Sequence, residues 1–199
     1  MHVQKRIWWT RLPSGDGRWF VYGPRFGRTY LLAPDLATSA LLPTLLGLRT
    51  AAYRDRLHDG AVSVELVDGT ESGPAVGRFL RLLYLFFHRH RTVASIDRTI
   101  HFASWLARLK KGRRQMSAPE VGQLVMDVER SVAVSDCYPR ALLTAYLCMT
   151  ARLGCEVTVG ILAPTAKMHA WCTTGGLIPY EPKPQHWFYS PLVIFDVTL

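Results

Sequence analysis

The sequence lacks a long hydrophobic run. Its longest apolar stretch, residues 80–87, spans eight positions and contains Arg81. About 20 apolar residues are needed to cross a bilayer, so no membrane span is expected. Acidic residues are scarce. Fifteen Asp and Glu stand against 24 Lys and Arg, a net charge of +9. That balance favours an acidic partner, whether nucleic acid, a membrane surface or an acidic peptide. Cysteine is sparse too. Cys137, Cys148, Cys155 and Cys172 lie in the last third at irregular gaps, with no CxxC pair. The first eleven residues hold no apolar signal core. The expectation is therefore no secretory signal, and free thiols in a reducing cytoplasm. There is no repeat, no low-complexity segment and no Gly-x-x-x-x-Gly-Lys-Ser/Thr loop, so no ATP site is assigned.

What is present suits a folded chain. Apolar residues make up 49% and aromatics 11% of 199 positions. This excludes disorder as the dominant state and allows a real core without disulfides or metal. The length fits one domain, or one with a small companion.

The first third reads as strands. Residues 7–12, 18–22 and 28–32 are short and rich in Trp, Tyr, Phe and Val, with Gly- and Pro-bearing turns between them. Asp35 can cap a helix over 36–46, and 50–58 suggests a second short helix. Residues 61–67 alternate as a strand. A three-stranded sheet with small helices predicts a winged-helix-like module over 1–72.

From 73 onward helices dominate. They are expected over 75–90, over 95–111, and from Ser117, which forms a capping-box pattern with Glu120, to about Glu129. Between Arg78 and Arg114 there are ten Lys and Arg against one acid, Asp97. This stretch reads equally as a solvated face or as a docking surface for an acidic segment. Asp136 caps a helix over 137–152, closed by Gly154 as the left-handed residue. Three strands follow, over 155–162, 168–173 and 177–181. The fold class is α+β, with helices packed on an antiparallel sheet in 73–199.

Three residues in this last third can carry chemistry. Cys137 opens the capped helix, where the dipole and the free backbone N–H groups favour a thiolate and could hold an oxyanion. By position alone it reads more readily as an inert buried cysteine. His169 lies on a downstream strand that could face the helix start and supply a base. A three-residue loop, 174–176, sets Glu181 directly opposite His169, where a carboxylate orients the ring. A two-residue loop puts Glu181 on the other face unless a bulge corrects it.

The stretch 135–147, then Gly154 to Gly160, then His169-Ala170-Trp171, resembles the lasso-peptide maturation B proteins. These are leader peptidases with a papain-related, transglutaminase-like core. The matching positions are Cys137, Pro139, Arg140, Ala141, Leu142, Gly154, Gly160, His169, Ala170 and Trp171, and the likeness covers roughly 75–199. Two departures stand out. Glu181 occupies the place of the family's Asp, and Trp171-Cys172-Thr173 replaces Trp-Val-Glu.

The resemblance implies a cysteine peptidase with Cys137 as nucleophile, His169 as base and Glu181 as orienting acid. It implies a fused leader-recognition domain over 1–72 and a peptidase domain over 73–199. The leader of a precursor peptide would add a strand beside Thr29, Tyr30, Leu31 and Leu32. A partner cyclase resembling asparagine synthetase would use ATP to close the freed core; this chain itself would need no cofactor and no metal, and would bind no nucleic acid. Rival readings are a basic winged-helix binding module with an inert Cys137, an acyl transferase on the same three residues, and a zinc site from Cys155, His169 and Cys172.

Overall fold

The structure, a computed structural model, describes residues 2–11, 19–23, 28–32, 51–53, 62–63, 76–91, 95–110, 115–162, 167–183 and 185–198. Four helices follow one another in the middle of the chain. They are α1 (Arg78–Arg89), α2 (Ile96–Leu109), α3 (Ala118–Val132) and α4 (Cys137–Thr150). The capping box expected at Ser117 forms, with the Ser117 N–H donating to Glu120 at 2.7 Å.

Apart from Arg140, helix α4 is dominated by apolar and small residues on all sides, and it is buried from Pro139 to Thr150. Such a helix must sit at the centre of a fold rather than on its surface. Helices α1, α2 and α3 pack around it, and β6 (Cys155–Leu162) and β7 (Lys167–Thr173) lie against it. Leu142, Leu143, Tyr146 and Leu147 are at most 1% exposed. Cutting any of these leucines to alanine costs about 2–5 kcal/mol. The helix does not close on Gly154. Arg152 takes the left-handed conformation, φ 61°. The N–H of Leu153 donates to Cys148 O at 2.8 Å and that of Arg152 to Met149 O at 3.2 Å. That is the paired closure of a Schellman turn, formed two residues earlier than the glycine suggests.

The main sheet runs in the order β3-β2-β1-β9-β6-β7. Its strands are β1 (His2–Arg11), β2 (Trp19–Gly23), β3 (Arg28–Leu32), β6, β7 and β9 (Ser190–Thr198). Strand β9 lies between β1 and β6, antiparallel to both. The amino-terminal strands thus share a sheet with the carboxy-terminal one. The 50–58 expectation changes: Ala51–Tyr53 is a strand, β4, parallel to β1. A non-local partner overrides a weak local helix preference there. Strand β5 (Val62–Ser63) pairs in parallel with β8 (Leu177–Ile178). The helix expected over 36–46, the rest of 50–58 and the expected boundary at 72/73 lie outside the described residues.

The hairpin after β7 decides where Glu181 goes. Thr174 and Leu177 exchange N–H···O bonds of 2.8 and 3.0 Å. The loop is therefore two residues, Gly175 and Gly176, and their φ values of 57° and 79° suit glycine. A three-residue loop is not what forms. Strand β8 ends at Ile178, before Pro179, rather than running to 181. Glu181 leaves the ladder and approaches His169 from an irregular segment.

Candidate active site

Asp136 is extended, with φ −145° and ψ 134°, and starts α4. Its Oδ1 accepts the Tyr138 N–H at 3.2 Å. Pro139 has no N–H, and the Arg140 N–H is taken by Asp136 O at 3.2 Å. Of the first-turn amides, that of Cys137 remains directed out of the helix end. The second carboxylate oxygen of Asp136 receives Arg91 Nη1 at 2.9 Å and lies 3.1 Å from His88 Nδ1. Burial alone would raise the Asp136 carboxyl. The Arg91 hydrogen bond, the Tyr138 amide and the neighbouring positive charge outweigh it and hold the group below its ordinary range.

A buried network fixes the approach to Cys137. The Asp136 N–H donates to the Tyr84 hydroxyl at 3.2 Å, and that hydroxyl donates to Glu129 at 2.6 Å. Arg140 grips the same carboxylate with Nε at 3.0 Å and Nη2 at 3.3 Å, and also donates to Ser135 Oγ at 2.8 Å. Arg140 and Glu129 are both buried. Removing one partner of such a pair strands the other, at a cost of about 3–5 kcal/mol. Tyr138 lies 2.8 Å from Thr99 Oγ1, which ties the first turn of α4 to α2.

His169 comes from β7. Side chains alternate along a strand, so His169 and Trp171 share one face while Ala170 and Cys172 face the helical core. The His169 ring stacks on Trp171 and packs on Tyr189, with centroids 5.8 and 4.9 Å away. Its Nε2 meets Glu181 Oε1 at 2.8 Å. The half-buried Cys137 side chain lies near the same ring and acts on its charge. With Nε2 engaged by Glu181, Nδ1 is the nitrogen left for sulfur. Burial alone would lower the His169 pKa. Hydrogen bonds and charge from Cys137 and Glu181 raise it instead, to about 9.

Glu181 is buried, and burial by itself would keep it neutral. Hydrogen bonds from the His169 and His186 side chains and from the Gln185 backbone reverse this and hold it far below the usual carboxylate range. His186 Nδ1 is 2.7 Å from Glu181 Oε2. A small cavity lined by Arg140, Thr144, Ala170 and Tyr180 adjoins His169 and Glu181. The arrangement can hold a thiolate beside an imidazolium, with a buried carboxylate behind the ring.

The structure thus brings Cys137, His169 and Glu181 to one place. The residues expected to receive a leader, Thr29 to Leu32, lie in β3, the last strand in the sheet order among the described residues. Cys172 and His169 fall on opposite faces of β7, which divides the zinc trio of Cys155, His169 and Cys172. Among the described residues no group of three or more His, Cys, Asp and Glu is arranged for a metal ion. Sequence reasoning missed His186, which sits in a short 3-10 turn, His186–Phe188. A histidine five places after the acid, between prolines, was its only signal. It also missed Tyr84, Glu129 and Arg91, which meet Asp136 and Arg140 only through tertiary packing.

The profile of the transglutaminase-like superfamily matches residues 82–193, more than half of the chain. That span runs from within α1 into β9 and contains Cys137, His169, Glu181 and His186. No curated protein and no solved structure matches the chain.

Proposed function

The chain belongs to the transglutaminase-like superfamily, whose members are typically cysteine-based enzymes, and from that premise we propose that it is a cysteine peptidase. Its substrate in this reading is a ribosomally made precursor, cut between leader and core as in the lasso-peptide B proteins its motifs resemble. The observation that supports the reading is the buried His169–Glu181 pair, 2.8 Å apart, with Cys137 near the same ring at the start of α4.

The thiolate of Cys137 attacks the carbonyl carbon at the junction. The oxyanion that forms is met by the Cys137 N–H at the positive end of α4. His169 gives its Nδ1 proton to the leaving amine, and the C–N bond breaks. Water then attacks the thioester, losing a proton to His169, and the carboxylic acid leaves as the thiolate re-forms beside the protonated ring. One water is consumed, and the core departs with a free N-terminal amine. Glu181 holds the ring in register and balances its charge. Strand β3, with Thr29, Tyr30, Leu31 and Leu32 and last in the sheet order among the described residues, suits capture of the leader by strand addition. The freed amine is the group a partner ATP-using cyclase would join to a side-chain carboxylate.

The test is mass spectrometry of a candidate precursor incubated with the purified protein, with and without such a partner. Cleavage by the wild type that is lost in Cys137→Ala is the expected result. Equal cleavage by both proteins, or none by the wild type with an authentic precursor and partner present, overturns the reading. The superfamily match also supports acyl transfer as a second reading. In that case the thioester passes to an amine, and the product mass lacks the added water.

A further inference from the structure

We infer that His186 is a positioning residue that locks Glu181 against His169. The inference rests on the reading of Cys137, His169 and Glu181 as a working relay. Glu181 has one more rotatable bond than an aspartate in the same place. A single bond to His169 would leave its carboxylate free to swing. Here both oxygens are held. Oε1 takes His169 Nε2 at 2.8 Å and the His186 N–H at 3.2 Å, and Oε2 takes His186 Nδ1 at 2.7 Å. Three donors on two oxygens fix both the plane and the reach of the carboxylate.

His186 is itself well held. It is 2% exposed, and its ring lies between Trp171 and Trp187, with centroids 6.2 and 5.4 Å away. The Tyr189 N–H donates to His186 O at 3.0 Å, and the Tyr189 ring packs on His169. One short segment therefore delivers a donor to the acid and a wall to the base. The titratable and charged groups around the carboxylate are His169 on one side and His186 on the other, Arg140 and Tyr180 across the adjoining cavity, and Tyr189 and Cys137 beyond the His169 ring. His186 needs only a proton on Nδ1 to do this, so a neutral ring suffices.

Two measurements test the role without any peptide substrate. Nitrogen-15 NMR of histidine-labelled wild-type protein should show Nδ1 of His186 protonated; a bare Nδ1 overturns the inference. The rate of iodoacetamide alkylation at Cys137, followed from pH 5 to 10, reports the thiolate held by His169. In His186→Leu the rate at pH 7 should fall about tenfold, the effect of losing one charge-assisted hydrogen bond. His186→Asn, whose amide can donate in place of Nδ1, should recover most of the rate. A folded His186→Leu with an unchanged profile overturns the role, as does a folded His186→Asn as impaired as His186→Leu. If His186→Leu does not fold, the NMR result and His186→Asn decide. Failure to cleave any precursor removes the peptidase reading but leaves these results standing.

Discussion

Two carboxylates flank the same thiol, and they are held in opposite ways. Asp136 sits at the mouth of α4 against Arg91, a side chain 59% exposed, and against His88. Glu181 sits inside, between two buried imidazoles. Asp136 spends one oxygen on a backbone amide, so its main task is to start the helix that presents Cys137. Glu181 faces imidazole nitrogens, so its task is to govern a proton. Position relative to solvent separates the roles. A charge at the rim anchors backbone, while a charge in the interior sets protonation.

The sharpest break of this contrast is Glu181→Gln, which keeps size and removes charge. Turnover of a cleaved precursor should drop by about three to four powers of ten, as when a triad acid is neutralised. The pH above which activity declines should move from about 9 toward the ordinary 6.5. The sign follows from His169, whose folded value is raised. Its stabilisation is complete below about pH 6.5 and is lost as pH rises through about 9. A pH–rate profile with its upper limit unmoved would separate Glu181 from the proton.

Asp136→Ala comes next and should act on folding rather than protonation. Loss of the cap should cost about 0.5–2 kcal/mol by urea denaturation. Asp136→Asn, which can still accept the Tyr138 N–H, should cost less. Neither should move the upper pH limit; a shift as large as that of Glu181→Gln would erase the distinction between the two acids. Arg91→Ala should be the mildest. An exposed pair contributes well under about 1 kcal/mol, and the difference from wild type should vanish in high salt. A loss that persists in 1 M salt would place Arg91 in the buried class with Arg140.

The contrast also follows what the sequence could reveal. The Asp136 cap, the start of α4 at Cys137 and the span of β6 rest on local rules, and these elements form where those rules put them. Glu181 was legible as a partner for His169 through the family resemblance and, from the residues alone, through a period-2 register. That register fails once the two-residue Gly175-Gly176 turn forms and pairing stops at Ile178. The acid arrives by a path no alternation encodes. His186 and Tyr84 were illegible for a related reason, since their partners are distant in sequence and chosen by packing. Strand β4 was misread because its parallel partner, β1, lies far upstream.

The faces of β7 have a last consequence, for how this molecule meets electrophiles and oxidants. Cys148, Cys155 and Cys172 are at most 3% exposed and lie within the core on the helical side. Cys137 alone stands half-open, at a helix end near His169. The folded chain holds four sulfurs but offers one to the outside. A reagent that counts thiols in the unfolded chain will count three more than it finds in the native one, so thiol stoichiometry becomes a gauge of how much of the α4 core is intact.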